Sequence, residues 1–200
     1  MADMCLCALV VEGSAVEVRE FVKVAQPLRR LSQPEDSYDC SLLSFRRLDP
    51  RPDEEDLTDI YGTPSPEPED CTRTRLKRVG ATRARVEYRF LTKWSEPYVL
   101  FRRVSKQFPR LEFLLGAVAP AVDETNCWYF HQGRGRNWKM PDHRREGIRT
   151  EAYRAEGLDI EEDDDLGIDV EADHTMMTEA LAHWTPARRR AARPSRKRAN

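Results

Sequence analysis

Apolar and polar positions alternate most regularly between Arg83 and Thr92, where Val86, Tyr88 and Phe90 are interleaved with Arg85, Glu87 and Arg89. A period of two marks a strand with one face buried, so a half-exposed strand is predicted here. Cys5 to Glu12 is an apolar run closed by Gly13, which predicts a strand buried on at least one face. Ser14 then supplies an N-cap, and Val16, Phe21, Val22, Val24 and Ala25 leave an apolar stripe on a helix that must stop near Pro27. A further strand is expected over Asp39 to Phe45, carrying Cys40, Leu42, Leu43 and Phe45 and halted by Pro50 and Pro52. Ser95-Glu96-Pro97 predicts the start of a second helix, with Val99, Leu100, Val104 and Phe108 on its buried side and Pro109 at its end. Leu111 to Val118 and Asn126 to His131 complete the set of predicted strands.

The order strand, helix, strand, strand, helix, strand is that of the split βαβ, or ferredoxin-like, sandwich. The expected fold class is therefore α+β, an antiparallel sheet with two helices on one face, an extra strand at 126–131 and a charged C-terminal extension. In domain terms, residues 1–140 form the sandwich with a proline-rich insertion near 50–70, and residues 141–200 form the extension. Within that extension Met177, Leu181 and Trp184 share one side of a short helix expected near 175–184, which either docks as an appendage or binds something else.

Several segments resemble the ferredoxin-like domain of uncharacterised phage and plasmid proteins of the YubB type. The cysteine-bearing first strand, Gly13 and a helix containing Phe21 are similar to that family's opening. Leu43-Ser44-Phe45, before a proline-rich turn, is similar to its second strand. Tyr88-Arg89-Phe90-Leu91-Thr92-Lys93-Trp94-Ser95-Glu96-Pro97, with a later Phe108-Pro109, is similar to its strand-to-helix junction. The likeness covers residues 4–118. It departs where the family has Trp-Gly-Thr-Lys-Trp and this chain has Tyr61-Gly62-Thr63 followed by prolines. The resemblance implies the fold and a mobile-element origin, and carries over no catalytic residues.

Charge changes the picture because it is segregated. Charged residues make up 34% of the 200, yet the formal net charge is -2. Acidic residues dominate from Glu156 to Asp173, whereas every charge from Arg188 to Arg198 is Arg or Lys. Burying such blocks unpaired costs several kcal/mol per charge, so both are expected on the surface or in mobile chain. Asp3 stands where a signal peptide needs basic residues, and no run approaches the length of a membrane span, so a cytoplasmic protein without membrane association is expected. The five cysteines, at 5, 7, 40, 71 and 127, follow no secreted-domain spacing and are expected to be reduced.

No nucleophile, base and orienting group stand at motif spacing, and no glycine loop leads into a helix, so neither an enzyme nor a cofactor is expected. His131, His143, His174 and His183 are scattered. Asp159 to Asp169 lacks the sixth-position glycine and the regular alternation of a calcium loop and reads as a solvated linker. The consecutive Glu161, Glu162, Asp163, Asp164 and Asp165 suggest a sharper role, since closely spaced carboxylates imitate rows of phosphates and fit a basic groove. On that reading the chain is a phage or mobile-element protein that binds a host protein or ribonucleoprotein complex, as an inhibitor of a CRISPR-Cas type defence would. The alternative is a nucleic-acid-binding module. Residues 131–139 combine glycines with Arg134, Arg136, Trp138 and Lys139, which suits phosphate contact and base stacking as well as an ordinary hairpin tip. The basic tail adds phosphate contacts on this reading, and Trp94 is expected to be a packing anchor.

Overall fold

The longest apolar run becomes an interior strand, β1 (Met4–Ser14), buried on both sides along most of its length. Its alternate residues serve two different cores. Cys5, Cys7, Leu9 and Val11 point to one face of the sheet, and Ala8 and Val10 point to the other. The computed structural model describes residues 4–26, 42–50, 71–93, 95–119, 123–156 and 170–193. The other strands are β2 (Thr72–Arg73), β3 (Lys77–Val79), β4 (Arg83–Lys93), β5 (Glu112–Ala119), β6 (Glu124–His131) and β7 (Arg134–Lys139). They form one antiparallel sheet in the order β2-β4-β1-β5-β6-β7, with β3 also paired to β4.

Among the described residues three helices cover the first face. In α1 (Ala15–Ala25), Ser14 caps the first turn by accepting from the Glu17 backbone N–H at 3.3 Å. Val18, Phe21 and Ala25 form its buried side, at the three- and four-residue spacing that keeps side chains on one face of a helix. The short α2 (Phe45–Leu48) and α3 (Tyr98–Gln107) complete the layer. Aromatic edges hold it together: Phe21 meets Tyr88 at 6.2 Å and Phe113 at 5.6 Å, and Phe45 meets both Phe90 and Phe101 at 6.1 Å.

The second face is covered by α4 (Asp142–Glu156), α5 (Val170–His183) and the residues leading into α6 (Pro186–Ala192). Ile148, Ala172, Met176, Met177, Ala180 and Trp184 pack on Ala8, Val10, Leu114, Val118, Cys127 and Tyr129. Gly116 permits the close approach of α5, since a Cβ there would overlap the Met177 sulfur and press on Leu181. The Trp184 indole N–H donates to the Cys127 carbonyl at 2.9 Å, so the one polar atom of a large buried ring is satisfied.

The α+β class and the antiparallel sheet agree with the sequence reading, but the arrangement of two helices on one face does not. Helices lie on both faces, and residues 142–156 and 170–193 supply the second layer where a charged extension with one short helix is predicted. The strand expected over Asp39 to Phe45 also fails. Residues 39–41 lie outside the described ones, and from Phe45 the chain is helical because Ser44 accepts from the Arg47 N–H at 3.2 Å, which puts Phe45 and Leu48 on the same buried side. The outer edge of β4 is taken instead by β2 and β3. Ser95 does not cap α3, whose first turn follows Pro97 and has no side-chain cap.

The cysteines are not uniformly reduced, since Cys71 is disulfide-bonded. Cys5, Cys7 and Cys127 are free and buried, and burial pushes the thiols of Cys7 and Cys127 well up, away from the reactive thiolate. Trp94 and residues 51–70, nearly all of the proline-rich insertion, lie outside the described residues. Among the described residues no helix is long and apolar enough to cross a membrane.

Candidate functional site

The hairpin joining β6 to β7 turns on two residues, Gln132 at φ 53° and Gly133 at φ 74°. Two successive left-handed residues make the tight turn that matches the twist of an antiparallel pair. The tip is fastened to α3: the Gly133 N–H donates to Ser105 Oγ at 3.0 Å, and Arg102 Nε donates to the Gly133 carbonyl at 3.2 Å. A Cβ on Gly133 would stand 3.1 Å from Lys106 Cβ, so this contact also requires glycine. Residues 131–139 are therefore a docked hairpin rather than a flexible loop.

β7 is an edge strand, and its two sides carry different chemistry. Gly135 pairs with Phe130, and a Cβ there would come within 2.9 Å of the Phe130 ring, so the glycine leaves that ring lying against the backbone of β7. Phe130 is the inner member of a column of near-parallel rings. Trp128 stacks on it at 5.9 Å and 8°, and Tyr98 of α3 stacks on Trp128 at 5.0 Å and 13°. Glu96 fixes the column by accepting from the Trp128 indole N–H at 3.0 Å. Arg134 and Arg136 occupy alternate positions of β7, on the other side of the strand.

These groups line a cleft of about 830 Å³ that also includes Arg102 and, from the C-terminal end of α6, Ala191, Ala192 and Arg193. Among the described residues its lining contains four guanidiniums, three aromatic rings and no carboxylate. Among the described residues, Arg134 and Arg136 are exposed and have no ion pair.

The wall formed by α6 is anchored on two carboxylates. Glu12 of β1 and Glu112 of β5 are register partners. Arg189 binds Glu12 at 2.7 Å, and Arg193 donates from Nε to Glu112 at 3.0 Å. From the opposite side Arg83 reaches Glu112 at 3.1 Å and Arg85 reaches Glu12 at 3.5 Å. The Tyr129 hydroxyl also donates to Glu112, at 3.1 Å. Burial opposes ionisation of Glu112, but the hydrogen bonds and charge of Arg193, with help from Tyr129 and Arg83, outweigh it and hold the carboxyl below its ordinary range. Burial and the neighbouring Glu112 push the Tyr129 phenol up to about 12.

The structure separates the four residues predicted to contact nucleic acid. Arg134 and Arg136 reach the cleft, whereas Trp138 stacks on His183 at 4.2 Å and 15°, and Lys139 pairs with Glu124 at 2.6 Å. The basic tail is not simply free chain, since Arg189 and Arg193 are committed to the carboxylates and Arg188 bonds to His183. Arg196, Lys197 and Arg198 lie outside the described residues, as do Glu161, Glu162, Asp163, Asp164 and Asp165. Tyr98, Arg102 and Trp128 escaped the sequence reading, being remote in the chain from Arg134 and Arg136 and part of no motif, whereas Arg193 belongs to the basic tail that the sequence put forward. Among the described residues no cluster of three or more His, Cys, Asp or Glu is placed to hold a metal ion. No family model, curated protein or solved structure matches the chain.

Proposed function

We propose that the protein binds single-stranded nucleic acid in the cleft along the β7 edge. One observation carries the reading: guanidiniums without carboxylate partners stand beside a column of stacked rings whose outer member, Tyr98, is 42% exposed. Cations that track a phosphate backbone, next to an aromatic face on which a base stacks, are the two components of sequence-tolerant recognition of single strands. In this reading Arg102, Arg134 and Arg136 take phosphates and Tyr98 takes a base. We further read the order β2-β4-β1-β5, with α1 and α3 on one face, as a split βαβ unit of ferredoxin-like type to which the β6–β7 hairpin and the second helical layer are added.

Fluorescence anisotropy with labelled single-stranded DNA and RNA tests the function. Affinity is expected to fall steeply with salt as counterions are released, and Arg134→Ala with Arg136→Ala is expected to flatten the logarithmic salt slope by about 1.4, at about 0.7 per lost phosphate contact. Absence of binding at low salt, or equal affinity for blunt duplex, overturns the proposal.

A further inference from the structure

The sheet's register pairs Lys77 of β3 with Arg85 of β4, Arg85 with Glu12 of β1, Glu12 with Glu112 of β5, and His131 of β6 with Arg134 of β7. The β5–β6 ladder ends at Phe113 opposite Phe130, so Glu112 and His131 are the next residues beyond its last pair and continue the same row. Because strand pairing is straight across this row, its members share the second face of the sheet. Five inter-strand spacings of about 4.8 Å make the row about 24 Å long, and it ends in the cleft at Arg134.

The two signs of charge lie at different depths along this row. The side chains of Glu12 and Glu112 are 13% and 6% exposed, whereas those of Arg85, Arg83 and Arg193 are 36%, 43% and 40% exposed. The carboxylates lie beneath and the guanidiniums above, so solvent meets a cationic strip although the ion pairs nearly balance. Glu87, at 15%, repeats the arrangement one step along β4, where it accepts from Arg85 at 3.2 Å and from Arg89 at 3.0 Å. Buried acids hold each guanidinium in place, and a planar fork already held in place loses little freedom when it takes a phosphate. Among the described residues, the apolar contacts of α4 and α5 are with β1, β5, β6 and β7, and none of them covers the β4 end of the row.

We infer that a bound strand continues out of the cleft, over Arg193 and across the sheet to Arg83, Arg85 and Lys77, so that the full site holds several more nucleotides than the cleft does. This inference rests on the function proposed above.

Binding of a four-nucleotide and a twelve-nucleotide DNA to the full chain, compared with the Lys77→Gln, Arg85→Gln double variant, tests it. Neither residue lines the cleft. The expected result is that the wild type favours the longer strand, and that the double variant loses about tenfold on the twelve-mer while keeping its affinity for the four-mer. A purely structural role for Arg85 predicts a lower unfolding midpoint with equal losses on both lengths. Equal losses, or no loss, overturn the path and leave the cleft standing. Failure of the wild type to bind either length overturns both, and equal competition by a poly-glutamate peptide overturns the choice of nucleic acid as occupant.

Discussion

Glu12 and Glu112 stand opposite each other on neighbouring strands, and both Arg83 and Arg189 reach both carboxylates, at 3.9 and 3.1 Å for Arg83 and at 2.7 and 3.8 Å for Arg189. Two like charges tolerate such proximity only because cations from β4 and α6 neutralise them. Replacing Glu112 with Gln leaves those guanidiniums under-neutralised and is expected to cost about 3 kcal/mol, read from the midpoint of urea unfolding. Because the folded carboxyl titrates below the ordinary value, its contribution is fully present above the unfolded pKa of about 4.3 and disappears as pH falls through the folded one. The Glu112→Gln variant is therefore expected to have a shallower acid limb in a plot of stability against pH.

Docking of the second helical layer depends on the bare backbone at Gly116. Gly116→Ala is expected to destabilise the fold by about 1–3 kcal/mol, since the new methyl meets Met177 and Leu181. Pairing it with Met177→Ala frees space for that methyl, so the two losses are expected to be less than additive in a double-mutant cycle.

His183 lies between the Trp138 ring and the Arg188 guanidinium, which approaches Nδ1 at 2.8 Å. Burial and then the charge of Arg188 lower its pKa, so a proton NMR titration is expected to place its midpoint below 6.5. Arg188→Ala is expected to raise that midpoint. The stability that follows from a depressed histidine is present above its unfolded pKa and lost as the pH drops through the folded value.

Within the cleft, Tyr98→Ala removes the exposed end of the ring column and is expected to weaken single-strand binding by about 1–3 kcal/mol in anisotropy titrations. Lys139→Ala, which breaks only an exposed pair with Glu124, is expected to leave the affinity within error.

Periodicity revealed what depends on a clean contrast between apolar and polar positions. β1, α1, β4 and α3 all have it. It did not reveal β2 and β3, which are two and three residues long and almost wholly polar, because their pairing is backbone bonding to the edge of β4. α4 carries charge on nearly every side, with Asp142 in its first turn and Arg154 in its last. Its only fully buried apolar residue is Ile148, so no stripe announced it. The short helix at Phe45 was hidden because Leu43 and Phe45 are both buried, a spacing of two that also reads as a strand. Arg134 and Arg136 were visible as candidates because glycines and cations cluster there. Their ring partners were not, because Tyr98 and Trp128 meet only when α3 and β6 converge on one edge. Trp138 looked equivalent to the arginines and shares their side of β7, but there the end of α5 covers it and His183 stacks on its ring.

The two sides of the sheet are completed by different stretches of the chain. Every described residue that seals the first side precedes His131, whereas the second side is closed only by residues from Met140 onward. As the polypeptide leaves the ribosome, Ala8, Val10, Leu114 and Val118 therefore wait uncovered until residues 140–184 arrive, an interval in which a greasy half-built sheet is exposed to chaperones and to its own copies.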